Sequence, residues 1–102
     1  METTEKKETK VGFSSTMNKG FRITFENEWT ISVQFGKGNY CEHGYLGEWG
    51  GEMKKDIHSS SDAEIMIWDK DDKSYNFGYD EVKGHCTPNE VSEWIYKVSR
   101  FD

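Results

Sequence analysis

Near the carboxy terminus, Thr87-Pro88-Asn89-Glu90 opens the segment of this chain whose conformation is specified almost residue by residue. Thr87 suits the N-cap, and Pro88 takes the first helical position, where its missing N–H costs nothing. Glu90, three residues after Thr87, completes a capping box. Val91, Trp94, Ile95 and Val98 follow at helical spacing and Phe101 extends the stripe, while Glu93, Lys97 and Arg100 fall opposite. A single helix with a single apolar stripe must lie on an apolar wall, so the remaining residues have to build one.

Period-two alternation supplies that wall. Phe21, Ile23 and Phe25 alternate with Arg22 and Thr24; Trp29, Ile31, Val33 and Phe35 alternate with Thr30, Ser32 and Gln34. Glu26-Asn27-Glu28 between the two runs reads as a hairpin turn. Ala63, Ile65 and Ile67 continue the apolar face, Asp69-Lys70-Asp71-Asp72-Lys73 is a polar turn, and Tyr75 with Phe77 reads as a short fourth strand. The expectation is an α+β fold: a four-stranded, mostly antiparallel sheet with one C-terminal helix packed on one face. Four Trp, five Tyr and six Phe let 102 residues bury enough area for this.

The first 16 residues mix charge with small polar side chains and read as a disordered leader before a single domain over 17–102, with Met17 an alternative start. The competing reading makes part of this segment an edge strand with Val11 and Phe13 on one face. Three acids balance three lysines within the leader, which leaves the net charge of −6 on residues 17–102. That charge argues against nucleic-acid or anionic-membrane binding and suits solubility or a basic protein partner. No apolar run is long enough to span a membrane or to serve as a signal peptide, so the expected location is cytosolic, with the cysteines as thiols.

Residues 36–61 carry six glycines interleaved with Tyr40, Tyr45, Leu46 and Trp49, a pattern that fits a functional loop. Within it, Gly36, Lys37, Gly38 and Tyr40 can hold a nucleotide by backbone N–H groups, charge and stacking, with Arg22, Tyr45 and Trp49 as further candidates. No Walker or Rossmann spacing is present. Met66 and Trp68 alternate onto the otherwise polar face of the sheet, where a Met–Trp pair marks an interface with a partner protein or in a homodimer; the competing reading is that residues 36–61 fold over and cover the pair. Cys41, His43, His85 and Cys86 have a composition that zinc accepts, but adjacent His85 and Cys86 diverge on regular backbone. Asp69, Asp71 and Asp72 resemble the start of a calcium loop without its glycine or distal glutamate, and a turn explains them at lower cost. Neither cysteine sits in a nucleophile motif, and the expectation is a protein with no enzymatic activity and no cofactor.

Three stretches carry a resemblance: Trp29-Thr-Ile-Ser-Val-Gln-Phe-Gly-Lys-Gly-Asn-Tyr-Cys41, Ala63-Glu-Ile-Met-Ile-Trp-Asp69 and Val82-Lys-Gly-His-Cys-Thr-Pro-Asn-Glu-Val91. They resemble small uncharacterised proteins carried by bacteriophages and other mobile elements. The likeness implies a context, the cytoplasm of a bacterial host, and a counter-defence role. Such a role works by occluding a host defence protein or by sequestering a nucleotide signal. A small metal-stabilised or thiol-dependent protein is the alternative of a different class.

Overall fold

A computed structural model describes residues 10–15, 19–35 and 59–102. Its centre is β3 (Thr30–Gln34), whose Ile31 and Val33 alternate onto one face and are both buried. β2 (Gly20–Thr24) lies on one side of it and β4 (Ala63–Trp68) on the other. Cross-strand rows follow from the register: Ile23, Ile31 and Ile67 form one, and Phe21, Val33 and Ile65 the next. β1 (Gly12–Ser15) pairs outside β2, and β5 (Lys83–Cys86) outside β4, giving a sheet in the order β1-β2-β3-β4-β5, antiparallel throughout. The helix α1 (Pro88–Ser99) starts directly after β5 and folds back across β3, β4 and β5 without reaching β1 or β2.

The helix forms as its sequence dictates. The Thr87 hydroxyl accepts from the Glu90 N–H at 3.1 Å, and the Glu90 carboxylate accepts from the Thr87 N–H at 2.8 Å. Val98 is fully buried on the wall made by Ile31, Ile65 and Ile67; Val91, Trp94, Ile95 and Phe101 pack around it. Tyr75 and Phe77 meet Trp94 with ring centroids 5.7 and 5.1 Å away, in edge-to-face arrangements.

The hairpin between β2 and β3 closes as a three-residue loop, with Phe25 N–H donating to the Trp29 carbonyl at 2.9 Å and Glu28 in the left-handed region (φ 72°). Its tip reaches the far end of the helix. Asn27 donates through Nδ2 to the carbonyls of Val98 (2.8 Å) and Phe101 (3.0 Å), and its Oδ1 accepts from the Trp29 N–H (3.0 Å). Helix C-termini leave carbonyls without intrahelical partners, and here a side chain 71 residues earlier in the chain bonds one of them, that of Val98. Trp29 adds an indole N–H bond to the Asp102 carbonyl and an edge contact with Phe101 at 4.9 Å.

Two expectations are corrected. The sheet has five strands, because residues 12–15, within the segment read as a leader, pair with β2 as an edge strand. The strand expected at Tyr75 and Phe77 is reduced to a single bridge between Ser74 and Trp68. Those two rings alternate because both fill the end of the core beside Trp94, which needs no ladder. The actual last strand, Lys83-Gly84-His85-Cys86, escapes a pattern search. It has no β-branched or aromatic residue, its pairing with β4 shifts register, and His85 is left-handed (φ 51°). Gly20 is required where it stands. Its φ is 151°, and a Cβ there would sit 2.0 Å from the Val33 carbonyl oxygen.

Two stability predictions follow from this packing. Asn27→Asp keeps the acceptor for Trp29 but sets a carboxylate against the negative end of the helix and removes both donors. It is expected to cost about 1–3 kcal/mol in chemical denaturation. Trp94→Ala empties the ring cluster and is expected to cost about 3 kcal/mol, lowering the melting temperature by at least about 10 °C. A melt displaced by only a degree or two would mean that the helix does not rest on the sheet as described.

Candidate functional site

Side chains that alternate away from the helix build the second face of the sheet. The register sets Arg22, Ser32 and Met66 in one row and Thr24, Thr30 and Trp68 in the next. Thr24 and Thr30 share a hydroxyl–hydroxyl hydrogen bond of 2.8 Å, and the Ser32 hydroxyl accepts from the Gln34 amide at 2.9 Å. Thr30 and Ser32 are buried, since they occupy the central strand between longer neighbours. Met66 and Trp68, the expected interface pair, are half-buried. The Arg22 guanidinium lies over the Trp68 ring, 5.4 Å from its centroid, which is cation–π geometry. No described helix or strand covers this face.

Beside Arg22 and Trp68 the surface sinks into an open cleft of about 320 Å³ whose walls include Ser14, Thr24 and Thr30. Its charged lining is mixed: Lys10, Arg22 and Lys70 against Glu28, Asp69 and Asp72. The polar positions of β2 and β3 were readable from alternation. Lys10, Glu28, Lys70 and Asp72 were not, because they come from segments that flank strands and carry no period.

Asp69 anchors one rim. Its Oδ1 accepts from the N–H groups of Asp71 and Lys73, both at 2.9 Å, so the acidic run Asp69–Asp72 is a side-chain-stabilised turn. The Lys73 N–H bond holds the Asp69 carboxyl below its ordinary value. Among the described residues no group of three or more His, Cys, Asp or Glu is placed to hold a metal ion.

His85 and Cys86 point apart. The His85 ring is exposed and its Nδ1 lies 3.2 Å from the Asp62 carboxylate, whereas Cys86 is buried in the core. Cys86 is a free cysteine whose Sγ lies 3.6 Å from the Lys83 carbonyl, and burial pushes its thiol up from the ordinary value. A second, apolar cleft of about 350 Å³ opens between the first turns of α1 and the sheet, lined by Val33, Phe35, Ala63, Cys86, Val91 and Ile95 with serines at its rim. Gly36, Lys37, Gly38, Tyr40, Cys41, His43, Tyr45 and Trp49 lie outside the described residues.

The Asp69 turn gives a pH prediction with a fixed sign. A carboxyl whose folded value is depressed contributes stability above its unfolded value, near 3.9, and that contribution is lost as pH falls through the folded value. The Asp71 and Lys73 amide resonances should therefore titrate with a midpoint below about 3.9. A midpoint at or above it would show that the turn is not held by the ionised form. No protein-family model, curated protein or solved structure matched the chain when the three were compared with it.

Proposed function

We propose that this chain is a non-enzymatic binding protein of the phage accessory type, which acts by occluding a host defence protein in the bacterial cytoplasm. The observation that carries the reading is the Arg22–Trp68 stack with Met66 in the adjoining row, on a sheet face that no described helix or strand covers. Trp and Arg dominate the energetics of protein interfaces, and Met is enriched in them. Here the Arg22 guanidinium already rests on the Trp68 ring, so part of its side-chain freedom is given up before binding. The flanking cleft offers three cations and three carboxylates, a pattern that matches a protein surface bearing both signs. Of the residues expected to capture a nucleotide, Arg22 alone is described, and Glu28, Asp69 and Asp72 beside it oppose a phosphate. The resemblance to phage-borne proteins supplies the biological setting.

The test is a plating assay in a bacterial strain with intact defences, combined with quantitative co-purification of tagged chain. The wild type is expected to restore plating of a restricted phage and to enrich one host protein. Trp68→Ala should weaken that complex by about thirtyfold, the loss for a truncated interface anchor worth about 2 kcal/mol. Arg22→Ala, at an exposed position, should weaken it while lowering the melting temperature by no more than the few degrees that an exposed cation–π contact is worth. Retention of plating and partner by both variants would overturn the reading. Self-association through Met66 and Trp68 is the competing use of the same face. Light scattering that shows a dimer in wild type and a monomer in Met66→Lys would assign the face to a second copy.

A further inference from the structure

Three described residues other than glycine hold the left-handed backbone region: Glu28 (φ 72°), Asp72 (φ 64°) and His85 (φ 51°). Asp and His enter this region more readily than most side chains, whereas Glu does not. The turn around Asp72 is braced as well, by the Asp69 carboxylate on the Asp71 and Lys73 N–H groups. Glu28 is the residue whose conformation its own chemistry leaves unexplained. It takes the left-handed position of the three-residue hairpin loop, where glycine is the default and a side chain costs stability. Bonds on both faces of the sheet hold it there. On the helical side, Asn27 hooks the loop to the carbonyls of Val98 and Phe101. On the opposite side, the Thr24–Thr30 hydroxyl pair closes the mouth of the hairpin within the wall of the polar cleft. The Glu28 N–H donates to the Phe25 carbonyl at 2.7 Å, and the half-buried Glu28 lines that cleft with Arg22 and Trp68.

We infer that Glu28 is a specificity-determining residue of the Arg22–Trp68 site and that Asn27 positions it, which rests on the reading of that face as a protein-binding surface. A backbone conformation that destabilises the free chain persists where its surroundings enforce it, and such positions cluster at functional sites. What Glu28 brings to the cleft is its carboxylate. With it, the lining carries three cations and three carboxylates; without it, the cations are in excess. A balanced lining sets like charge against any partner surface of one sign and complements a surface on which both signs alternate. Asn27 is not part of the cleft wall, so it acts there through the backbone that it shares with Glu28. The hairpin tip thus joins the end of the helix on one face to the charge balance of the cleft on the other.

The full chain, labelled with ¹⁵N, would be titrated with two ten-residue peptides, one alternating Lys with Glu and the other all Glu, with the Trp68 indole resonance as the reporter. Wild type is expected to bind the alternating peptide about fivefold tighter than the all-Glu peptide, the worth of one like-charge contact near the surface. Glu28→Gln, which keeps the shape and removes the charge, should cut that preference to about twofold or less. Glu28→Gly should lose the preference too, and yet raise the melting temperature by about 3 °C, because glycine holds the left-handed region without strain. A residue with a structural role alone does not gain stability and lose selectivity together. Asn27→Ala should shift the Glu28 amide and the Trp68 indole in the free protein, while the Glu90 amide at the other end of the helix stays in place. The proposal fails if neither peptide moves the Trp68 indole at millimolar concentration, if Glu28→Gln keeps the wild-type preference, or if Glu28→Gly lowers the melt. An unmoved Trp68 indole in Asn27→Ala would overturn the positioning role. These outcomes are separate from the occlusion test, since a host partner retained by Trp68→Ala and Arg22→Ala would end the occlusion reading whatever the peptides do.

Discussion

Everything described depends on one contact, the burial of the α1 stripe on the isoleucines of β3 and β4. Val98, Ile31, Ile65 and Ile67 are each fully buried, and no other described part of the chain assembles a comparable apolar surface. The contact is locked at both ends of the helix by polar bonds. At the start the box bonds the Thr87 and Glu90 N–H groups, and at the end Asn27 bonds the carbonyl of Val98 and that of Phe101 just beyond the helix. The second lock is the more consequential, because it couples the first hairpin to the last helix across most of the sequence. Losing either element strands the other with unsatisfied polar groups or bare apolar surface.

That contact also determines which surfaces are left over. A helix is about 10–12 Å across, and neighbouring strands are about 4.8 Å apart, so one helix covers two or three strands. Among the described residues, the helix therefore leaves β1 and β2 uncovered on its own side of the five-stranded sheet, and no helix or strand lies on the opposite face. Aromatic rings mitigate the shortage at one end, where Trp29, Phe101, Tyr75, Phe77 and Trp94 seal the core edge-to-face. They do not extend to β1. In a chain this small, surface that the fold cannot cover is the natural place for binding to evolve.

The two surfaces that the helix does not reach differ in physical character. The Arg22–Trp68 face is a side-chain platform, held by register and bordered by mixed charge, which suits recognition by shape and by complementary pairs. The β1 edge lies beyond the reach of the helix, with Phe13 exposed and β2 as its described strand neighbour. Neither arrangement brings together a nucleophile, a base and an oxyanion pocket among the described residues. The described thiol, Cys86, is buried, and that burial raises its value above the ordinary one.

Local chemistry was sufficient for the sequence to determine the helix, its cap, the β2–β3 hairpin and the core positions of β2, β3 and β4. Each of these rests on interactions among residues a few positions apart, or on a period that one buried face imposes. The polar alternates of β2 and β3, and the outward Met66 and Trp68, were legible for the same reason. What tertiary structure alone decided was whatever depends on partners distant in the chain. β5 exists because β4 offers it an edge, although Lys83-Gly84-His85-Cys86 has no strand pattern of its own. Tyr75 and Phe77 alternate like a strand yet serve as core rings, because Trp94 is there to receive them. Asn27 reads as a turn residue and acts as a helix cap, and Arg22 reads as a polar alternate and acts as the cover of Trp68. The exposure of Phe13 belongs to this second group, since it follows from where the helix ends, and no residue near Phe13 in sequence records that.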